Sequence, residues 1–470
     1  MKVDVVVVGG GISGLVAARR LELAGARVTV VEKTRRLGGV VMTEREDGFV
    51  IEGGPDSFVA AKGAVLALAV ELGLRDEVIS SRPEHRGSYV WWDGELHPLP
   101  GGLLLMVPSR LRPLFASSLL TWKGRMRVLG DLVLPRSNEG DDESLESFVT
   151  RRLGRQVLER IAEPLIAGIH AATPDTMSLR ASFPRFLEME REHRSLILAA
   201  RSAASRPGSP DGLSHFASFK SGMGRLTSAL TGSLRDAEVR VGAGVTALGA
   251  GPSGYRVRLD DGSALAAGAV VLAAPAPVVS GLLDGWAPEA ASALSEIRQV
   301  ATAALTLAYR SGDLPALNGS GFVVPSVQGR RIMGVSYLSQ KWEGRVPDSE
   351  LTLIRAFVGG RHGQELARSS GDRLEDVVGE ELKETVGITG TPLRSWSHVW
   401  QQGLHQYTLG HTERVAGAEK ALGVWPGLAL AGAGFHGIGL NECIDSGERA
   451  AASVLGAMSR PVAAQSGGGN

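Results

Sequence analysis

The pattern of apolar and polar positions near the N-terminus predicts a strand, a helix and a second strand. Val3–Val8 is a continuous apolar run, as expected of a buried parallel strand, and Val28–Val31 is another. Between them, Leu15–Leu23 mixes apolar and basic positions among residues of high helix propensity. This segment therefore predicts a βαβ unit.

Beyond this unit the pattern changes several times. Residues 81–211 become irregular and then helical, strands and glycine turns return up to residue 286, and residues 287–400 predict a second, mixed sheet. A last apolar strand and a helical pattern follow residue 401. We expect an α/β fold with four parts: a discontinuous Rossmann-like nucleotide-binding domain (1–80, 212–286 and 401–458), a helical subdomain (81–211), a mixed-sheet substrate-binding domain (287–400) and a disordered tail (459–470).

Glycines between the first strand and the helix give the βαβ unit a specific chemistry. The junction reads Gly9-Gly10-Gly11-Ile12-Ser13-Gly14. Gly9 is expected to make the tight turn, Gly11 to let the backbone approach a pyrophosphate, and Gly14 to let helix and strand pack closely. Glu32, which ends the second strand, is spaced to bind ribose hydroxyls and disfavours a ligand with a 2′-phosphate. A plain strand-to-helix turn is the alternative, but the acid in register favours a dinucleotide site.

Composition excludes several classes of protein and site. The 470 residues contain 50 Lys and Arg and 50 Asp and Glu, so charge gives no reason to expect nucleic acid as a partner. One cysteine, Cys443, is too few for a disulfide framework or a cysteine-based metal site, and the histidines lack metal-ligand spacing. No secretory signal or apolar run of membrane-spanning length is visible. We therefore expect a cytoplasmic protein without a metal.

Two further glycine turns follow the predicted ribose-binding acid. Arg36-Leu37-Gly38-Gly39 resembles the R-x-G-G signature of a large family of two-domain FAD enzymes that includes amine oxidases, phytoene desaturases and porphyrinogen oxidases. Glu52-Gly53-Gly54-Pro55-Asp56-Ser57 resembles the flavin-contacting turn of the same family, although its composition alone is typical of a surface loop. The resemblance implies that the dinucleotide is FAD.

The C-terminal glycine-rich segment makes the resemblance more specific. Residues 430–444, LAGAGFHGIGLNECI, closely resemble the closing FAD motif of the porphyrinogen oxidase family of haem biosynthesis. Gln406–His411 and Met189–Leu196 resemble other segments of that family, so the similarity covers nearly the whole chain apart from the tail. It implies a FAD-dependent enzyme that removes six electrons from a porphyrinogen and passes them to dioxygen. Because the flavin carries out the chemistry, no catalytic side chain is assigned.

The resemblance also assigns individual binding positions. The predicted cofactor-binding residues lie in the glycine-rich segments, around the ribose-binding acid and at the start of a later strand: Gly9, Gly10, Gly11, Ile12, Ser13, Gly14, Glu32, Lys33, Arg36, Gly38, Gly39, Gly54, Pro55, Asp56, Ser57, Val245, Gly432, Ala433, Ile438, Gly439 and Leu440. The predicted substrate-binding residues are Arg86, Ser88, Ser320, Val323 and Lys341.

The substrate prediction depends on two serines. Protoporphyrinogen oxidases of the familiar type carry a phenylalanine above the ring and an arginine that pairs with a propionate, and alignment places Ser320 and Ser88 at these positions. Ser339–Trp342 resembles the coproporphyrinogen-oxidising branch instead. Coproporphyrinogen has four propionates, which favours a wider and more basic pocket mouth, with Arg86, Arg110 and Lys341 as candidates. Both coproporphyrinogen III and protoporphyrinogen IX stay open as substrates, with a preference for the former expected.

Three classes of function stay open. The first is a porphyrinogen oxidase, and the second is another FAD oxidoreductase of the same architecture, of the amine oxidase or phytoene desaturase type. The third is a non-catalytic escort-type protein that binds prenylated partners. Aromatic residues make up only 5% of the chain, which disfavours an aromatic cage for amines. The complete glycine motifs weigh against a protein that no longer binds FAD.

Residues 103–122 allow two interpretations. Their apolar and basic positions fit an amphipathic element at a lipid interface, which would make this a peripheral membrane protein on the cytoplasmic side. They also fit a cap over the substrate cavity, which the balanced overall charge favours. Because a porphyrin product is poorly soluble, handover to a ferrochelatase-type enzyme is a further expectation.

Overall fold

The computed structural model describes residues 2–85, 87–137, 142–204, 213–251, 254–369 and 371–459. Arg86, predicted to bind substrate, lies outside these residues, as does the predicted tail from residue 460 onward.

The strands of the described residues form two large sheets and three small ones. In chain order they are β1 (Lys2–Val8), β2 (Val28–Glu32), β3 (Thr43–Glu46), β4 (Phe49–Glu52), β5 (Phe58–Val59), β6 (Val78–Ser80), β7 (Tyr89–Trp92), β8 (Glu95–Pro98), β9 (Leu103–Leu104), β10 (Val107–Pro108), β11 (Phe216–Phe219), β12 (Glu238–Val241), β13 (Val245–Gly251), β14 (Gly254–Leu259), β15 (Ala264–Leu272), β16 (Gln299–Arg310), β17 (Gly321–Val323), β18 (Ile332–Tyr337), β19 (Leu351–Val358), β20 (Arg394–His405) and β21 (Leu428–Leu430).

The α-helices of the same residues range from single turns to a 19-residue helix near the C-terminus. In chain order they are α1 (Ile12–Leu23), α2 (Ala64–Glu71), α3 (Leu111–Ala116), α4 (Trp122–Leu129), α5 (Leu145–Arg152), α6 (Arg155–Val157), α7 (Glu163–His170), α8 (Leu179–Ser182), α9 (Pro184–His193), α10 (Leu196–Ala204), α11 (Gly224–Ser233), α12 (Ala276–Leu283), α13 (Pro288–Ser295), α14 (Leu338–Lys341), α15 (Gly360–Gly363), α16 (Asp372–Val386), α17 (His411–Leu422) and α18 (Leu440–Met458).

The first large sheet forms around β1. Its parallel strands follow the order β12-β2-β1-β15, β21 pairs with the C-terminal part of β15, and antiparallel β14 and β13 complete one edge. Val5 and Val7 pack against α1 and α18, whereas Val6 and Val8 face α12 and α13. Helices thus cover both faces of the parallel strands, which explains their continuous apolar sequences. The predicted α/β fold class is confirmed.

The second large sheet has the strand order β20-β16-β19-β18-β17-β7-β8. It includes β7 and β8, which come from a stretch that the sequence pattern predicted to be irregular. Asp93 and Gly94 join these two strands and both have positive φ, as the central residues of a type I′ hairpin do. The Asp-Gly pair was therefore a usable hairpin signal. At the other edge β20 continues to His405, further than the predicted end of this sheet at residue 400.

The two faces of the second sheet have different neighbours. On one face, residues such as Leu305 and Ile354 pack against α16. On the other, Ala308, Leu353 and Trp396 pack against Phe49 and Ile51 of β4. We call this second face the inner face. The strand register also places on it Ala304, Thr306, Arg355, Trp396 and His398.

The helices between residues 111 and 204 form a separate apolar core that also includes Val90 and Val323 of the second sheet. Within residues 103–122, Met106, Leu114 and Leu119 are buried in this core, while Leu105 and Trp122 are exposed. In the part of the chain that the structure describes, no helix combines the length and apolar character needed to span a bilayer.

Candidate active site

The glycine loop after β1 leaves space at a helix N-terminus. Gly9 has a φ of +109°, and a Cβ built on it would lie 2.5 Å from the Ala273 carbonyl oxygen. A Cβ on Gly14 would collide with the Gly9 carbonyl oxygen. Gly11 differs, because the nearest atom to such a Cβ is Gly39 Cα at 3.9 Å. This open space faces the start of α1, which has no side-chain cap, so it fits a pyrophosphate.

The second glycine turn lies directly against the first. Gly38 N donates to the Gly10 carbonyl oxygen at 2.8 Å, and Gly11 and Gly38 form an isolated β-bridge. The Arg36 guanidinium donates to the carbonyl oxygens of Leu37, Gly39 and Val41. The structure therefore brings the first two predicted cofactor segments together, and Arg36 stabilises its own turn.

Glu32 connects the glycine loop to the residues after β2. Its Oε2 accepts from Gly10 N at 2.7 Å, and its Oε1 accepts from Thr34 N at 2.8 Å. Oε1 also accepts from Thr34 Oγ1 at 2.8 Å, so the lone pair that stays free for a ribose hydroxyl is on Oε2. Ala243 N donates to the Glu32 carbonyl oxygen, and this hydrogen bond places Val245, two residues after Ala243, beside the site. Lys33, which follows Glu32 in the sequence, is exposed.

The turn at residues 52–57 lies between the glycine turns and the second sheet. A Cβ on Gly54 would collide with the Val40 carbonyl oxygen, so the turn packs backbone to backbone against the residue that follows Gly39. From the inner face, Arg355 Nη2 donates to the Gly54 carbonyl oxygen at 2.8 Å. Trp400 Nε1 donates to the Gly53 carbonyl oxygen, also at 2.8 Å. The second sheet thus holds the predicted flavin-contacting turn in place.

Buried charges surround this turn. Lys341 Nζ lies 3.3 Å from Asp56 Oδ2. Burial alone would raise the pKa of Asp56, but Lys341 and Arg355 lower that pKa to about 2. Arg345 Nη2 lies 3.8 Å from Glu52 Oε1, and burial raises the pKa of Glu52. Lys341, predicted to meet a substrate propionate, is therefore already paired with the turn.

The Gln406–His411 segment holds the C-terminal glycine-rich segment, residues 430–440, in place; we call the latter the closing segment. The Tyr407 hydroxyl donates to the Ala433 carbonyl oxygen at 2.9 Å and accepts from Gly437 N at 2.7 Å. The His411 ring stacks on Tyr407 with ring centroids 3.8 Å apart, and its Nε2 lies 3.1 Å from the Phe435 carbonyl oxygen. The sequence identified this segment by resemblance alone; the structure gives it a positioning role.

The closing segment and the N-terminal loop are tied together through their helices. Ser13 Oγ on α1 donates to the Cys443 carbonyl oxygen on α18 at 2.8 Å, and Gly432 N donates to Ser446 Oγ at 3.0 Å. Helix α18 begins after Gly439 without a side-chain cap, so the predicted contacts Ile438, Gly439 and Leu440 lie at a second free helix N-terminus. The four predicted cofactor segments therefore lie next to one another, and we call the space that they border the cleft.

The predicted substrate residues fall in three places. Ser88 Oγ and Ser320 Oγ lie 3.4 Å apart, at neighbouring ends of β7 and β17. Tyr337 N donates to the Ser320 carbonyl oxygen, and the helix that carries Lys341 begins at the next residue. Val323 packs into the helical core instead. The structure thus brings the two serines together and places Lys341 at the turn, while Val323, three residues after Ser320, packs against the helical core.

Three residues near the cleft had not been singled out from the sequence. Lys62 pairs with Glu442 in the first turn of α18. Arg355 and His398 project from the inner face towards the turn. Arg355 is the one charged residue in the largely apolar strand LTLIRAFV, and a charge within a buried strand is a usable signal. His398 lies on an edge strand of mixed polarity and gives no such signal.

Comparison with known proteins extends over almost the whole chain. The family model for flavin-containing amine oxidoreductases matches residues 12–455. A coproporphyrinogen III oxidase of Bacillus subtilis (strain 168) is 33% identical over 97% of this chain and 98% of its own length. The protoporphyrinogen oxidase of Homo sapiens is 35% identical over 96% of this chain and 98% of its own length.

Solved structures agree with this similarity. The crystal structure of a proposed protoporphyrinogen oxidase from Exiguobacterium sp. 255-15 has a TM-score of 0.84 and 32% identity, and covers 97% of this chain and 99% of that chain. The cyclohexylamine oxidase of Brevibacterium oxydans IH-35A has a TM-score of 0.70 at 18% identity, over 97% of this chain and 100% of its own. At that identity the likeness concerns the fold alone.

Proposed function

This chain belongs to the flavin-containing amine oxidoreductase family, and we propose that its reaction is the six-electron oxidation of a porphyrinogen to the aromatic porphyrin. It is an oxidoreductase, and its cofactor is FAD. The observation that carries the proposal is the meeting of four glycine-rich segments at one cleft in a chain that is 33–35% identical, over nearly full length, to proteins named as porphyrinogen oxidases.

The residues that would hold FAD are those that border the cleft. The space between Gly11 and Gly39 would take the pyrophosphate, and the Glu32 carboxylate would bind the ribose. The turn at 54–57 and the segment 432–440 would bind the isoalloxazine. When bound, FAD supplies a hydride acceptor, which the reaction needs once for each pair of electrons. The chain itself has to bind the macrocycle, exclude water and remove protons.

We propose dioxygen as the electron acceptor, giving hydrogen peroxide, and coproporphyrinogen III as the preferred porphyrinogen. Ser88 and Ser320 support that preference, because two small hydroxyl side chains stand where the resemblance places an aromatic ring and an arginine. A pocket mouth that they border would leave more room for a macrocycle with four propionates. Protoporphyrinogen IX is the competing substrate, and several relatives are named for its oxidation.

We propose that residues 103–122 have a structural role, in which their apolar side chains pack into the helical core. Met106, Leu114 and Leu119 support this role, since they are buried and unavailable to lipid. The exposed large apolar side chains of this segment, Leu105 and Trp122, are the candidates for peripheral membrane contact. Handover of the poorly soluble porphyrin to a ferrochelatase-type enzyme is a further proposal, as is a cytoplasmic location.

Substrate oxidation by the purified protein tests the proposal. The yellow holoprotein should lose its visible flavin absorption when mixed without oxygen with coproporphyrinogen III, and benzylamine should leave that absorption unchanged. Bleaching by benzylamine alone would favour an amine oxidase. A colourless protein without flavin would favour the escort-type alternative.

A further inference from the structure

A groove on the far side of the second glycine turn has no part in the proposed reaction. It has a volume of about 630 Å³. Pockets that bind a whole small molecule commonly measure ~300–1,000 Å³. Three arginines line the groove together with one acid, Glu77; the arginines are Arg36, Arg45 and Arg225. The groove therefore has both the size and the charged groups of a ligand site.

The two glycines of the second turn separate this groove from the space assigned to the FAD pyrophosphate. A Cβ built on Gly39 would lie 3.1 Å from Gly11 Cα, on the cofactor side. A Cβ built on Gly38 would lie 3.1 Å from Thr227 Oγ1, and Thr227 lines the groove. Arg36 is the one predicted cofactor-binding residue that also lines it, and its guanidinium is bonded to carbonyl oxygens of its own turn. The groove is thus a second cavity and not part of the cofactor site.

The groove keeps an excess of positive charge in a chain whose net charge is zero. Glu32 and Glu44, which lie outside the groove, act electrostatically on Arg36. Glu77 Oε1 accepts from Arg225 Nε at 2.8 Å and offsets one of the two other arginines. The N-terminus of α11 also lies in the groove, and the positive end of its dipole adds to the field. An anion is therefore the ligand that the groove favours.

Arg45 and Arg225 keep hydrogen-bond donors for such a ligand. Arg45 uses Nη2 to donate to the Ser221 carbonyl oxygen at 2.7 Å, and Arg225 uses Nε to donate to Glu77. Among the described residues, the other guanidinium N–H groups of both arginines have no acceptor, and neither has the hydroxyl of the exposed Ser228, which also lines the groove. Two partly free guanidinium groups and a hydroxyl thus border the same space.

We propose that this groove binds an anion with two or more phosphate groups, held by Arg45, Arg225 and the Ser228 hydroxyl. The planar fork of a guanidinium matches phosphate oxygens with paired hydrogen bonds. Two phosphate groups would engage both arginines at once. Because the groove is larger than pyrophosphate, it also has room for the nucleoside part of a nucleoside polyphosphate. The shared chemistry is the polyphosphate, and its source is either inorganic pyrophosphate or such a nucleotide.

Calorimetric titration of the FAD-loaded holoprotein with inorganic pyrophosphate tests the site, because the cofactor then fills the other phosphate-binding space. Arg45→Gln should weaken binding about tenfold, since the ligand loses a charged hydrogen-bond donor. Ser228→Asp should weaken it at least as much, because it adds a negative charge to the groove. Arg256→Gln, at an exposed arginine of β14, is the matched control and should stay within twofold of wild type. No binding to the wild type, or binding to Arg45→Gln within twofold of it, would overturn the proposal.

Further titrations identify the class of ligand. ATP binding more tightly than pyrophosphate would assign a nucleoside polyphosphate, and no gain with ATP would assign the inorganic anion. Citrate carries three carboxylates and no phosphate, and should bind at least about tenfold more weakly than pyrophosphate. Citrate binding as tight as that of pyrophosphate would overturn the assignment of phosphate. If Arg45→Gln loses its flavin, Ser228→Asp decides alone, and unweakened pyrophosphate binding there overturns the proposal.

Discussion

The two sides of the cleft are built by different means. On the nucleotide side, the loops after β1 and β2 are fixed by close backbone packing and by one carboxylate, Glu32, within a short stretch of chain. On the second-sheet side, Arg355, Lys341 and His398 reach the turn at 52–57 from distant parts of the chain. The first side depends on the absence of side chains, and the second on buried polar and charged groups. The two sides should therefore fail in different ways when altered.

The largest effect is expected on the nucleotide side, at Gly14. A methyl group there would collide with the Gly9 carbonyl oxygen inside the packed helix–strand contact, so Gly14→Ala should lower the free energy of unfolding by about 3 kcal/mol or more. Urea unfolding of the flavin-free protein measures this. A loss below about 1 kcal/mol would mean that this contact is looser than described.

Gly11→Val should separate folding from cofactor binding. A Cβ at Gly11 meets nothing nearer than 3.9 Å, and its φ of −71° suits any residue, so the flavin-free protein should keep its stability. The branched side chain would fill the space assigned to the pyrophosphate, and FAD affinity should fall at least about 100-fold. Fluorescence titration with FAD gives the dissociation constant. A full complement of FAD in the purified variant would contradict the N-terminal assignment.

The second-sheet side should respond to pH. Asp56 has a pKa of about 2 in the folded protein against an ordinary value of 3.8, so its contribution to stability is present above pH 3.8 and is lost as pH falls through 2. Relative to Asp56→Asn, the wild type should lose about 2 kcal/mol of unfolding free energy between pH 5 and pH 2. Denaturant unfolding of both proteins over this range provides the comparison. A constant difference would show that Lys341 and Arg355 do not stabilise the ionised carboxylate.

A smaller effect is expected at Tyr407, which joins the two sides. Tyr407→Phe removes the hydroxyl that donates to the Ala433 carbonyl oxygen and accepts from Gly437 N. The free energy of unfolding should fall by about 1–2 kcal/mol. FAD should also dissociate faster, since the closing segment loses its clamp. Release of flavin fluorescence after dilution reports that rate. Ser233→Ala, at a residue on α11 whose hydroxyl donates only to a backbone carbonyl within its own helix, is a matched single-hydroxyl control that should change neither quantity.

The same contrast explains what could be predicted from the sequence. Glycine loops are local signals, so the βαβ unit and the glycine turns were predictable from residue spacing and resemblance. The strands β7 and β8 were missed, although Asp93-Gly94 gave a local signal. The pairing of Lys341 with Asp56, and the contact of His398 with Gly53, depend on the register of β20 and on tertiary packing across the cleft. No local pattern encodes such contacts, because they join residues hundreds of positions apart.

Substrate choice distinguishes a coproporphyrinogen oxidase from the alternatives in one experiment. Anaerobically prepared coproporphyrinogen III and protoporphyrinogen IX are each mixed with holoprotein and oxygen, and porphyrin fluorescence gives kcat/KM for both. We expect flavin-dependent oxidation of both, with kcat/KM for coproporphyrinogen III higher by about one to two decades, the size expected of a propionate contact. A preference for protoporphyrinogen IX would contradict the role given to Ser88 and Ser320, and no oxidation of either would contradict the porphyrinogen oxidase assignment itself.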